Sequence, residues 1–216
     1  MGPHVADLLL LPRGGAGTGA RPRSADVGNR RADRRLSFSR SQAWFFFGLA
    51  QQLRGEWQQA IQAIERSQTI ARERRTALET QPWRLVRLAE SHLALGDPDR
   101  ARRLVEEGVD LARRGAQAGV EALGWVTLAR VLLASARQDA QAEIAGALDR
   151  ALELANTTEA KIIVPRVHVE RADLARLTGN EDGHHRELRE AHRLYSEMGA
   201  VGHAQRLADE LATSPR

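Results

Sequence analysis

The chain has no cysteine. That absence excludes a disulfide framework, a thiolate-bound metal and a cysteine nucleophile, and it fits a reducing cytoplasm. Lysine is almost missing as well: Lys161 is the only one, and arginine supplies the other basic residues. Such a bias points to GC-rich coding rather than to a chemistry. No apolar run approaches the length that would cross a bilayer. The 216 residues suit one or two globular domains, or one repeat array.

An excess of positive charge is also absent from most of the chain. The formal net charge is +4, yet residues 1–40 carry eight arginines against three aspartates. The remaining residues are therefore close to neutral, with no basic surface that would call for nucleic acid. The cluster Arg30, Arg31, Arg34, Arg35 and Arg40 has only Phe38 as an aromatic neighbour, so base stacking has little support. Residues 1–40 lack a helical or strand period and read as a disordered Arg/Gly-rich tail or linker. Val5–Leu11 is apolar but short, and no basic residue precedes it, which makes a poor signal peptide.

Catalytic and metal-binding patterns are missing too. Gly14–Gly19 is glycine-rich, but Ala20 and Arg21 follow where a phosphate loop needs Lys and Ser/Thr, and no strand precedes it. His4, His92, His168, His184, His185, His192 and His203 include no pair at the i, i+4 spacing that a helical zinc site uses. The expectation is therefore a non-enzyme with no cofactor and no metal.

What is present is a repeat. From Ser41 onward the helical period is continuous. Small residues at Gly48, Ala89, Ala129 and Ala172 recur at steps of 41, 40 and 43 residues. Seven residues after three of them stand Gly55, Gly96 and Gly179, each suited to end a helix in the left-handed conformation. Ala136 takes that place in the third repeat, where the turn is longer. Second helices follow, with aliphatic residues at Ile64, Val105, Leu148 and Leu188 and small ones three further on at Ser67, Gly108, Ala151 and Ala191. Pro82 and Pro165 share one repeat position, which suits a first helical turn; Pro165 could instead kink a helix begun near Thr158. Alternation of large and small residues lets antiparallel helices approach closely. In the first repeat the period puts Trp44, Phe47 and Gly48 on one face and Phe45 on another. Val201, Ala204, Leu207, Ala208 and Leu211 form one more amphipathic segment, which reads as a capping helix.

This order of large, large-small, Gly, small and large residues resembles the tetratricopeptide repeat. The first repeat matches best, with Trp44, Phe47-Gly48, Gly55, Trp57, Ala60 and Ile64. The fourth departs most, with Arg171 for the large apolar residue and His184 for the alanine. The period exceeds the usual ~34 residues of that repeat. A second resemblance covers Pro165–Gly179, Glu187–Ala200 and Gly202–Leu207. Those stretches are similar to the C-terminal part of bacterial class III adenylate/guanylate cyclase–ATPase–TPR proteins and of large ATP-binding LuxR-type regulators. It implies a regulatory region that would belong to a larger protein.

The expected architecture is all-α: an α-solenoid of about four TPR-like hairpins over residues 41–213, with a C-terminal capping helix. The family resemblance implies a concave groove lined by first helices. Transferred to this chain, the groove positions are Phe45, Leu49 and Gln52; Arg87, Glu90 and Leu93; Thr127, Arg130 and Leu133; and Arg166, Glu170, Asp173 and Arg176. Charge mixed with apolar stems suits a protein or peptide partner. A solvated face stitched by local ion pairs is the competing reading, since Glu170, Asp173 and Arg176 lie close enough to pair. Neither nucleic acid nor membrane is expected as a partner, and the expected location is cytoplasmic.

Overall fold

The computed structural model describes residues 24–135 and 140–213. Among them there is no strand. Nine α-helices follow one another in these described residues: α1 Ser24–Leu53, α2 Trp57–Arg74, α3 Gln81–Ala94, α4 Pro98–Arg114, α5 Ala118–Ala134, α6 Gln141–Thr157, α7 Val164–Leu177, α8 Glu181–Glu197 and α9 Val201–Thr213. Short 3-10 turns at Leu78–Thr80 and Lys161–Ile163 lead into α3 and α7. The pairs α1/α2, α3/α4, α5/α6 and α7/α8 are antiparallel hairpins. Each second helix packs on the next first helix, and α1, α3, α5 and α7 also touch in succession. Hairpins thus stack on their neighbours in sequence, and α9 covers α8 at the end of the stack.

Small residues set how closely each hairpin closes. A Cβ on Gly48 would stand 2.6 Å from Ile64 Cγ1 and 3.2 Å from the Ala60 carbonyl, so α1 and α2 meet almost backbone to backbone. Ala60, Ala89, Ala129 and Ala172 are all fully buried at the matching contacts. The turns close by one recurring device. Gly96 has φ +79°; its N–H donates to the Leu93 carbonyl, and Asp97 N–H donates to the His92 carbonyl, both at 3.0 Å. This left-handed closure satisfies carbonyls that the helix end leaves unpaired. Gly55, Gly179 and Gly199 repeat it. Asp97 then accepts from Arg100 N–H at 3.0 Å and starts α4. Pro82 and Pro165 both lie in first helical turns, and Thr158 ends α6 rather than beginning α7.

Two features of the first repeat stand out. α1 is described from Ser24, so the arginine-rich stretch up to Arg40 is helical there, ahead of the domain start expected at Ser41. Arg, Ala, Leu and Ser tolerate helix, and extension from an anchored turn needs no new nucleus. Asp33 pairs with Arg74 of α2 at 3.3 Å, which ties this extension to the hairpin. Residues 1–23 of the expected tail, with Gly14–Gly19 and Val5–Leu11, lie outside the described residues, as does Ala136. The second concerns Phe45, one of the expected groove positions. Phe45 is 0% exposed and packs edge-to-face on Trp83, ring centres 4.8 Å apart. Trp44 and Phe47 are 39% and 50% exposed. Their register equivalents in the second repeat, Leu85 and Leu88, are each only 3% exposed. Leu88 is covered by Ile61 and Ile64 of α2. No described hairpin stands before α1 to do the same for Trp44 and Phe47.

A buried arginine joins the first two repeats. Arg84 of α3 is 1% exposed. Its guanidinium donates to Ser67 Oγ of α2, to Ser41 Oγ of α1 and to the Ala77 carbonyl, each at 2.9 Å. The two serines exchange bonds with each other's carbonyls at 3.0 and 2.7 Å. Burial lowers the Arg84 pKa, against the pull of Glu79. Three helices therefore meet on one cation held by neutral oxygens.

Arg84→Ala should lower stability by about 3 kcal/mol in urea denaturation, because it strips the joint of its donors and leaves a void. A loss below about 1 kcal/mol would mean that the joint is incidental. A second test uses the ends of second helices, where Arg75, Ala116 and Glu159 hold the left-handed conformation without being glycine. Ala116→Gly should raise stability by about 0.5 kcal/mol, and Gly96→Ala should lower it by about 1 kcal/mol, since the strain moves in opposite senses. Thermal unfolding followed by circular dichroism reads both, and shifts of equal sign would refute the turn argument.

Candidate functional site

The stacked first helices present a concave face with two adjoining cavities. The first, of about 510 Å³, lies between α1, α3, α5 and α7 and is bordered by Leu49, Gln52, Trp57, Leu93, Glu90 and Arg130. The second, of about 530 Å³, is enclosed by Trp83, Leu123, Ile163, Tyr195, Met198 and His203. Arg87 and Arg166 border both. Repeat spacing explains this convergence: one helical face of each first helix is brought to the same side, so residues some forty apart become neighbours.

Ion pairs run across the face from repeat to repeat. Arg87 pairs with Glu90 at 2.7 Å within α3, and Glu90 also lies 4.0 Å from Arg166 of α7. Arg130 of α5 grips Glu170 of α7 at 2.9 and 2.7 Å. Burial pushes the Glu170 carboxyl upward, against the pull of Arg130. Burial works the other way on Arg130, but Glu170 and Glu90 hold its pKa above the usual value. Gln52 reaches from α1 to α3, donating to the Arg87 carbonyl at 2.7 Å and to Ser91 Oγ at 2.8 Å. Asp173 pairs with Arg176 at 2.7 Å, and Arg176 also lies 3.6 Å from Glu210 of α9. The competing expectation of ion pairs along the face thus holds in part, although several bonds link separate helices rather than one.

Of the expected groove positions, Leu49, Gln52, Arg87, Glu90, Leu93, Arg130 and Arg166 do come together on the first cavity. Glu170, Asp173 and Arg176 extend the face towards α9 through their ion pairs. Leu133 packs partly buried against the central core, and two further positions drop out. Phe45 is wholly buried under Trp83, because in this register it points at α3 rather than at open space. Thr127 is also buried and returns its hydroxyl to the Leu123 carbonyl at 3.0 Å. The sequence pattern missed the second cavity almost entirely. Ile163 comes from a 3-10 turn, and Tyr195, Met198 and His203 come from the α8–α9 corner, so no first-helix pattern could include them. The one available signal was the turn at Gly199, which folds α9 back and stacks His203 on Tyr195 with ring centres 4.8 Å apart.

Among the described residues, no group of three or more His, Asp or Glu is placed to hold a metal ion. His168 bonds Glu187 at 2.7 Å, and buried His184 bonds the Ala172 carbonyl at 2.9 Å, in the place where the first two repeats have Ala60 and Ala101. No helix among the described residues is long and apolar enough to cross a membrane.

Stacked antiparallel hairpins with Gly-closed turns and a continuous concave face define an α-solenoid of the tetratricopeptide type. No family model matches the chain, and no curated protein matches it. Among solved structures it is similar to a thermophilic TPR protein of Thermus thermophilus, with 21% identity and a TM-score of 0.50. That match covers 79% of this chain and 89% of the other. At this identity the likeness speaks to fold.

The rim of the second cavity can be probed by titration. Partial burial, then the charges of Arg206 and Arg166, lower the His203 pKa below the ordinary histidine value. Its NMR titration midpoint should therefore fall below the usual range, and Arg166→Gln should move it upward. A midpoint indifferent to Arg166→Gln would place that guanidinium away from the cavity mouth.

Proposed function

We propose that this chain is a non-catalytic interaction module that binds a segment of a partner protein in its concave face. One observation carries the proposal: two adjoining cavities, each of the size that receives side chains or a small ligand, open along a face already ordered by ion pairs. Apolar walls supply burial, while Gln52, Arg87, Arg130 and Arg166 supply orientation. The carboxylates on this face are committed to arginines, which suits recognition better than proton transfer. The fold it shares with the Thermus protein is an array of exposed helical faces, well suited to lay an extended or helical segment along several repeats. The module is proposed to act in the cytoplasm.

A narrower reading makes the chain the regulatory region of a nucleotide cyclase–ATPase or LuxR-type regulator. It is supported by the resemblance of Pro165–Leu207 to such C-terminal regions. Both readings use the same face.

Ala94 and Gly119 border the first and second cavities, and neither is fully buried. Ala94→Trp with Gly119→Trp should fill the two cavities and leave the helices intact by circular dichroism. Wild-type protein used as bait in extract of its own cells should retain partners reproducibly, and the double variant should lose them. Equal retention by both would move the interaction off the concave face.

A further inference from the structure

The concave face is short of negative charge at one place. Arg87 and Arg166 approach from α3 and α7, and Glu90 is the carboxylate that serves both, at 2.7 and 4.0 Å. Nε of Arg87 is buried and makes no hydrogen bond. Glu170, the next carboxylate along the face, is already held by two bonds from Arg130. Arg206 contributes further positive potential on the α9 side, where it acts on His203 and Tyr195 together with Arg166. A buried donor without an acceptor is costly to leave unmet, and two guanidiniums sharing one carboxylate leave a surplus positive charge. The wall immediately beside them is apolar, formed by Trp83, Leu123, Ile163 and Met198 around about 530 Å³. Met198 and Ile162 at the mouth are both exposed, so the apolar surface is reachable.

We infer that this cavity takes a bulky aliphatic or aromatic side chain of a partner segment while Arg87 and Arg166 hold an aspartate or glutamate beside it. The inference rests on the concave face being the binding surface and adds the chemistry of what binds. Charge selects the occupant. A basic segment would meet two arginines and a third close by, whereas an acidic one brings a second carboxylate to the two guanidiniums that share Glu90. The apolar neighbour supplies the burial that an exposed ion pair alone lacks. Both arginines border the first cavity too, so the acidic group sits where two apolar anchors of the same segment could flank it.

A phage library of random dodecapeptides, panned on the full chain and in parallel on Ala94→Trp/Gly119→Trp, tests the inference. Enriched peptides are then synthesised and titrated by anisotropy against wild type, Arg166→Gln and Arg166→Lys. Support requires peptides that carry Asp or Glu within two positions of Leu, Ile, Phe or Trp and that the double variant fails to enrich. Arg166→Gln should weaken them roughly five- to tenfold, Arg166→Lys clearly less, and added salt should erode the difference. Peptides that depend on the groove but are neutral or basic, or that ignore Arg166→Gln, would overturn the inference and leave the concave-face reading standing. No enrichment over the double variant would overturn both. Laurate, titrated in parallel, tests the alternative of a free amphiphilic acid. Binding of laurate with no peptide enriched would replace the protein segment with such a ligand.

Discussion

A helical hairpin in this chain has more apolar surface than its own two helices can hide. Ile61 and Ile64 of α2 close on Gly48 and Phe45 within the first hairpin, yet they also have a side left over, which Leu88 of the second hairpin covers. The second and third hairpins meet the same condition and answer it in the same way, and α9 does so for the fourth. The burial of apolar area that favours folding is therefore completed between neighbours rather than within one unit. The core accordingly divides into clusters strung along the stack: a small one around Phe45, a large one from Val86 to Val167, and another around Leu188, Tyr195 and Leu207.

The concave face follows from that constraint. Second helices are used on two sides for packing, so the first helices are left with a face in common. Polar residues that would be isolated on a single helix there find partners one or two repeats away, as Gln52 does with Ser91 and Arg130 with Glu170. The exception is the place where α3 and α7 bring two cations to one anion. A surplus charge next to an apolar hollow is an arrangement that packing alone does not require.

Much of the fold is legible in the sequence, because its signals are local and repeated. Gly55, Gly96 and Gly179 mark turns since only glycine takes their conformation without strain, and the small residues at Gly48, Ala89, Ala129 and Ala172 mark the helix contacts. Non-glycine turn residues such as Ala116 and Glu159 carry no such mark, and their strain is visible only in the structure. The start of α1 escapes notice because the stretch before Ser41 has no apolar period. The period separates Phe45 from Trp44 and Phe47, but which of the two faces is buried escapes notice because both carry large aromatic rings. Arg84 is the largest surprise. A charged residue buried with hydroxyl and carbonyl partners looks, in a linear sequence, like any surface arginine. Half of the concave face follows from repeat spacing, whereas the second cavity depends on a 3-10 turn and on the return of α9, which no periodicity encodes.

The two extremities of the stack differ in kind. At one, α9 lays Ala204 and Leu207 over α8 and leaves a mostly polar exterior. At the other, Trp44 and Phe47 stand in solvent as an edge-to-face pair, ring centres 5.9 Å apart. Among the described residues the rod is thus covered at one extremity and apolar at the other. A further hairpin fused ahead of α1 would find a ready-made seat, whereas one fused behind α9 would first have to dislodge a lid.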